Sequence, residues 1–398
     1  MFRPYIKRTQ VLVSIAVFNL ILVYIVHTSH EFKPEKNYDL KVHASQIMEE
    51  ALSYTYAHFK EVINDSLALE LDIFKSGLIG VDSTDSKMTT KSGILQSKLS
   101  TTNPDFAALY IDYFSQIDDS LGTALTDPKI QDTIAVSLTG SFPGANIALL
   151  SACKASNVYP VIISSMGSSS YGANRLEMTW IDIENILFDK MFNYKSVAVS
   201  LGGDNDIAEE LSSDIIRKLT EKIKKQDYQF INKISLSESI QKRMDIYDSY
   251  SKNYKAYINI GGSASSLGNE ILSQVFLPGL NFHKDFEMSN VIDEEIIETN
   301  TTYDLSINPI VYRFESKNIP VINIKNINKL CMENHLPYLE IDSYDFHTSE
   351  LFGVIVKHPL RVVWPCFIIS LLILVWVVFS SIKQVNKKME EIENDSIV

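Results

Sequence analysis

The chain has 398 residues, 45% of them hydrophobic and 21% charged, so its core is large enough for one big domain or two smaller ones. The formal net charge is −13 and no basic patch offers phosphate contacts, which argues against nucleic acid as a partner. The same charge argues against holding an anionic polymer over a broad surface, so any anion must be bound locally.

Residues 1–8 form a short tail carrying Arg3, Lys7 and Arg8. From Val11 to Val26 the chain is apolar except for Ser14 and Asn19, and with its flanks the segment 9–28 reaches the length of about 20 residues that crosses a bilayer. A cleaved signal peptide is the competing reading. Against it, the apolar stretch exceeds the roughly 7–15 residues of a signal h-region, and Val26–His30 offers no small-x-small cleavage site. Residues 31–130 read as mostly helical. Met48, Leu52, Tyr56, Phe59, Ile63 and Leu67 recur at three- and four-residue steps and predict a helix over 40–75. The Ser-, Thr- and Lys-rich stretch 82–102 reads as loop or extended chain. Asn103, Pro104 and Asp105 then predict a capped helix start, with Phe106, Tyr110, Tyr113 and Phe114 on its apolar face. Nothing in this first third carries obvious chemistry.

Residues 131–360 read as α/β. Strands are expected at Thr133–Leu138, Tyr159–Ser164, Ser196–Ser200, Ala256–Ile260 and Ile319–Ile324, with helices through Ala155, from Ile207 to Lys224, and around Cys331. Short apolar strands alternating with helices indicate a mostly parallel sheet with flanking helices. The first four strands run into loops of small polar residues. Gly140, Ser141, Gly144 and Asn146 follow the first, Ser168, Ser169, Gly172 and Asn174 the second, Gly202 and Gly203 the third, and Gly261, Gly262 and Ser263 the fourth. Open parallel sheets bind ligands beyond the carboxyl ends of their strands, and loops of this kind hold a carboxylate or phosphate on backbone donors. Tight turns without any ligand are the alternative.

Ser141, Ser168, Ser169 and Ser170 are candidate nucleophiles, and Asp204 and Asp206 candidate acids or bases, unless the two aspartates cap the helix that follows. A serine nucleophile needs a base nearby. The histidines lie outside these loops, with His283 the closest in sequence, and no triad assembles. Neither GxGxxG nor a glycine followed by Lys-Ser or Lys-Thr occurs, so no nucleotide is expected; CxxC and HExxH are absent too, so neither a metal nor another cofactor is expected. Cys153 and Cys331 read as buried apolar residues, with a disulfide between them as the alternative in an oxidising compartment. Val362–Phe379, within a span at 362–380, is uncharged with Ser370 as its one polar residue, Pro365 in the first turn, and Trp364 and Trp376 toward its ends. Its rival reading is a buried core helix. Lys383, Lys387 and Lys388 follow it. The positive-inside tendency therefore puts both tails, 1–8 and 381–398, in the cytoplasm and residues 31–360 outside, although Lys357 and Arg361 weaken the signal.

Several runs resemble the poly-γ-glutamate system protein family, which is encoded with the machinery that makes and exports poly-γ-glutamate capsules. They are Ile79-Gly80, Met88-Thr-Thr90 with Gly93 and Leu95, Thr101-Thr-Asn-Pro104, Gly140-Ser-Phe-Pro-Gly144 with Asn146, Ser168-Ser-Ser-Tyr-Gly-Ala-Asn174, Thr179-Trp180, and Gly202-Gly203 with Asp206. The resemblance covers most of 75–270 and is looser beyond. It implies a process and a place, not a reaction: a two-pass envelope protein that meets the exported polymer and its synthase and export subunits. A non-catalytic binding or scaffolding role is the preferred expectation. A serine-type hydrolase or transpeptidase acting on γ-glutamyl bonds is the other, and it lacks a visible base.

Overall fold

The computed structural model describes residues 9–63, 66–268, 273, 276–283, 308–338, 346, 347 and 349–395. It divides into a central unit, Glu35–Phe352, and a second unit made of both ends of the chain, up to Pro34 and from Gly353. Arg3, Lys7 and Arg8 lie outside the described residues.

The chain begins with α1 (Thr9–Thr28) and β1 (His30–Pro34). The central unit opens on α2 (Tyr38–Val62) and α3 (Ser66–Leu71), so the helix expected over 40–75 ends early, at Val62. Ile63 is already extended. Met48, Leu52 and Phe59 are buried as the periodicity requires; Leu67 is exposed. The supposed loop 82–102 contains β2 (Thr89–Lys91) and α4 (Leu95–Thr102). Only Leu95 and Leu99 mark an apolar face on α4, yet Ser97, Lys98, Ser100, Thr101 and Thr102 are all buried. Tertiary contact, which periodicity does not register, makes this helix. Next comes α5 (Phe106–Leu121), which starts later than its expected cap because Asn103 Oδ1 accepts from the Asp105 N–H (2.9 Å) in a turn ahead of the helix.

The α/β layer follows: β3 (Thr133–Thr139), α6 (Pro143–Ser156), β4 (Tyr159–Ser165), β5 (Ser168–Ser169), β6 (Asn174–Arg175), β7 (Met178–Thr179), α7 (Trp180–Lys190), β8 (Ala198–Ser200), α8 (Ser213–Lys225), β9 (Gln229–Ile231) and α9 (Leu236–Tyr250). Then come β10 (Tyr257–Ile260), α10 (Ala264–Leu267), β11 (Gly279–Asn281), α11 (Ile310–Glu315), β12 (Val321–Ile324) and α12 (Ile327–Glu333). Seven strands pair in the order β11-β12-β10-β3-β4-β8-β9, all parallel except β11 against β12. The sheet is therefore the mostly parallel α/β layer that the strand pattern predicts. Its residues alternate between two cores. Ile134, Val136, Leu138, Ile162, Ile258 and Ile322 join α2, α5 and α6, while Ala135, Val161, Ile163, Tyr257 and Val321 join Tyr247 of α9 and Phe314 of α11. Burial on both faces explains why these strands read as continuous apolar runs. Both Cys153 and Cys331 are buried and free, with no disulfide between them.

In the terminal unit, β13 (Gly353–Lys357) pairs antiparallel with β1, from His30 opposite Lys357 to Pro34 opposite Gly353. The last helix, α13 (Leu360–Asp395), runs on through the segment 381–395 that was expected as a plain tail, and it starts early enough to leave Pro365 past the first turn. Val11–Thr28 and Leu360–Glu391 are each long and apolar enough to cross a membrane. The polar residues that interrupt the two apolar runs meet: Ser370 Oγ donates to Asn19 Oδ1 (2.5 Å), a type of bond that holds helices together in lipid. Arg361, which weakens the orientation signal, pairs with Glu31 at 2.9 Å.

The helix expected from Ile207 begins instead at Ser213. Between them, Asn205, Asp206 and Ala208 take left-handed conformations (φ 52°, 64° and 57°). Asp206 is held there because its carboxylate pairs with Arg243 of α9 at 3.0 Å, with both side chains out of water, and accepts from Ser200 Oγ (2.7 Å) and from Ser239 Oγ. Arg243 Nη2 also donates to Ser165 Oγ (3.0 Å) and Ser200 Oγ (2.6 Å). Asp206 is thus neither a helix cap nor an available acid or base. Because stripping one partner strands a buried charge, Arg243→Met or Asp206→Ala should each cost about 3–5 kcal/mol, with the double variant Arg243→Met/Asp206→Leu recovering part of the loss. Denaturant unfolding of the full chain in detergent measures this; additive losses would show that the two side chains are uncoupled.

Candidate functional site

A cleft of about 440 Å³ opens at the carboxyl ends of five parallel strands. Its wall is built by Thr139, Ser141 and Phe142 after β3, Ser165, Gly167 and Ser169 after β4, Gly202 and Gly203 after β8, Gly262 and Ser263 after β10, and Asn326–Asn328 after β12. β10 and β4 lie on opposite sides of β3, so the connections diverge there, at the switch point where open parallel sheets bind ligands. Ala264 and Tyr338 add to the wall, and the rest comes from the first third of the chain: Thr90, Lys91, Ser92, Gly93 and Ile94, then Ser97 and Lys98 of α4. That segment, in which no chemistry was expected, is fixed over the sheet by parallel pairing of β2 with β5 and by Thr90 Oγ1 donating to the Ser168 carbonyl (3.2 Å).

Of the residues expected to bind ligand, Ser141, Ser169, Gly202, Gly203, Gly262 and Ser263 line the cleft. The others build its frame. A β-carbon at Gly144 would sit 2.4 Å from the Thr101 carbonyl, so this glycine lets α6 lie against α4. Gly202 combines a left-handed backbone (φ +75°) with close approach to Gly167, which no other residue permits without a shift. Gly140, Gly172 and Gly261 are similarly crowded by neighbouring loops. Asn146 Nδ2 donates to the Thr139 carbonyl (2.9 Å), and Asn174 staples Val81 and Thr89. Ser168 is buried and directs its hydroxyl to the Gly140 carbonyl (3.0 Å); Ser170 is buried as well. Asp204 is exposed, and its N–H donates to the Glu210 carboxylate. None of the eight histidines lines the cleft, and His283 pairs with Glu315 instead.

Lys98 is the residue that sequence reasoning missed. It is 2% exposed, and its Nζ donates to the Ser141 carbonyl (2.5 Å) and to Ser169 Oγ (2.7 Å), with the Phe142 ring centroid 3.6 Å away. No carboxylate pairs with it among the described residues. Burial pushes its ammonium down to about 7, and the ring face, which favours the cation, does not offset this. One signal was readable: Lys98 is the single charged residue between Lys91 and Asp105. Ser141 Oγ accepts from the Ser169 N–H (3.0 Å), so the first two loops and α4 meet at one point.

Among the described residues, the cleft wall contains two lysines, Lys91 and Lys98, and no carboxylate. Lys91 is exposed and only loosely paired with Asp204 at 4.0 Å. The chain matches no family model, no curated protein and no solved structure. A lysine whose ammonium is depressed by folding costs stability fully below its folded pKa, and the cost is relieved as pH rises toward the unfolded value near 10.4. From pH 7 to pH 9.5 the wild type should therefore gain melting temperature relative to Lys98→Met, whatever their difference at neutral pH; parallel pH curves would mean that Lys98 is not depressed.

Proposed function

We propose that this chain is a membrane-anchored, extracytoplasmic component of a poly-γ-glutamate capsule system, which binds the exported polymer in its cleft or holds it beside the synthase and export subunits. The observation that carries this reading is the charge pattern: a strongly acidic chain whose cleft at the sheet's carboxyl edge has, among the described residues, lysines and no carboxylates in its wall. The loop N–H groups of Gly203 and Gly262 in that wall have no acceptor among the described residues, leaving donors for a glutamyl carboxylate. The motifs that carry the family resemblance support the same reading, because Thr90, Gly93, Ser141, Ser169 and Gly202-Gly203 come together there from distant stretches of chain. Two helices fit to span a membrane, with Lys383, Lys387 and Lys388 in the last part of the second, past its uncharged stretch, support a two-pass arrangement with both termini in the cytoplasm. A serine-type hydrolase or transpeptidase acting on γ-glutamyl bonds is the second reading, favoured by Lys98 beside Ser169.

Two measurements test the main reading. Single cysteines at Lys36 and Lys129 should react with a membrane-impermeant thiol reagent in intact cells or spheroplasts, and one at Lys388 should not; labelling confined to Lys388 would reverse the orientation. The full chain in detergent should bind poly-γ-glutamate, and Lys91→Glu should weaken binding by about 5- to 10-fold at low salt, an effect that fades as salt screens the charge. Equal affinity of the two proteins at low salt would remove the polymer from this cleft.

A further inference from the structure

We infer that the cleft is catalytic as well as binding, with Ser169 as nucleophile and Lys98 as its general base in acyl transfer from an amide whose acyl part carries a carboxylate. This rests on the reading of the cleft as the polymer site only for the identity of the amide. The dyad itself stands on geometry. Lys98 Nζ and Ser169 Oγ are 2.7 Å apart, within the reach that proton transfer requires, and both line the cleft, Lys98 the more deeply buried of the two. The Ser141 carbonyl holds Nζ in place from a second side, and the Ser169 N–H is tied to Ser141 Oγ, which makes Ser141 the positioning residue. Gly93 leaves the nucleophile open, since a β-carbon there would stand 3.1 Å from Ser169 Oγ. A purely structural lysine in so dry a place would be expected to carry a carboxylate partner, because an unpaired buried cation is costly. Lys98 has two uncharged oxygens instead, an arrangement suited to the neutral amine: one N–H stays on the Ser141 carbonyl and the lone pair turns to the Ser169 hydroxyl.

The steps balance as follows. Ser169 Oγ attacks the amide carbonyl carbon while its proton passes to Lys98 Nζ. The tetrahedral adduct collapses with cleavage of the C–N bond, and Lys98 returns the proton to the departing amine nitrogen. An ester on Ser169 remains. Water, or an amine acceptor in a transfer reaction, then attacks that ester, giving its proton to Lys98, and the C–O bond to Ser169 breaks as Oγ recovers a proton from Lys98. No metal or redox partner is involved. The exposed Lys91 faces the substrate carboxylate.

The test is covalent labelling of the full chain in detergent with an alkyl fluorophosphonate and a β-lactone, mapped by peptide mass spectrometry, alongside separate measurement of poly-γ-glutamate binding. Ser169 should be modified, at a rate that reaches half its maximum near pH 7, and Ser169→Ala should abolish the modification. Lys98→Met and Lys98→Arg, checked for a cooperative melt, should slow it by about 100- to 10,000-fold, the usual contribution of a general base. Should both lysine variants fail to fold, the wild-type pH profile decides: a rate that climbs steadily toward pH 10 overturns the dyad. So does modification of another residue, or none by either reagent, and if polymer still binds in that case the binding role survives alone. Modification of Ser169 without any affinity for the polymer upholds the dyad and discards poly-γ-glutamate as its substrate.

Discussion

The architecture of the cleft depends on one buried ion pair. Arg243 reaches across from α9 to the last residues of two parallel strands, Ser165 of β4 and Ser200 of β8, and closes on Asp206 in the loop beyond. Those strand ends launch the loops that carry Gly167 and Ser169 on one side and Gly202 and Gly203 on the other. The loop from Gly202 to Ala208 passes repeatedly through left-handed backbone, a conformation that non-glycine residues hold only when their surroundings impose it. The pair imposes it. A hydrophobic pair of the same volume would fill the space but would not specify where four separate hydroxyl and carboxylate oxygens must point.

That constraint explains how a site can be assembled from weak parts. Serine hydroxyls, glycine amides and a lysine are individually poor anchors and poor reagents. What gives them potency is desolvation combined with fixed geometry: Lys98 is less basic because water is excluded, and Ser169 is near it because β2 pairs with β5 and α4 packs under the loops. The proposed catalytic pair and the proposed carboxylate-binding groups then use different sides of the same wall. The buried lysine is suited to moving a proton, and the exposed one to meeting a charge. Their division of labour follows from burial alone, since the two side chains are chemically identical.

The sheet was legible in the sequence because its strands are buried on both faces and read as mostly apolar runs such as Thr133–Leu138 and Val321–Ile324. The loop positions followed directly, since the first four of these runs end in loops rich in glycine and small polar residues. β9 was not legible: three residues, one of them Gln229, carry too little pattern. Nor was α4, whose buried face is polar and whose helical state depends on neighbours far away in sequence. Lys98 was missed for the same reason, because the pairing of a lysine in the first third with a serine 71 residues later exists only in the folded chain. Of the nine glycines and asparagines picked out as ligand groups, three line the cleft and six pack outside it. Composition identifies where backbones come close, and that closeness serves packing as often as recognition.

The five-residue ribbon of β1 and β13 gives this protein a mechanical property. Its strands join the two ends of the central unit in antiparallel register, directly beside the helices fit to cross a membrane. When the two helices are dragged apart, or an attached filament tugs on the anchors, tension enters at Thr28 and at Leu360 and is borne first by the ribbon's ladder of hydrogen bonds. Residues 35–352 are the chain between the two strands, so the ribbon closes the loop that they form. While the ribbon holds, tension between the two helices passes from β1 to β13 without running along the chain in between.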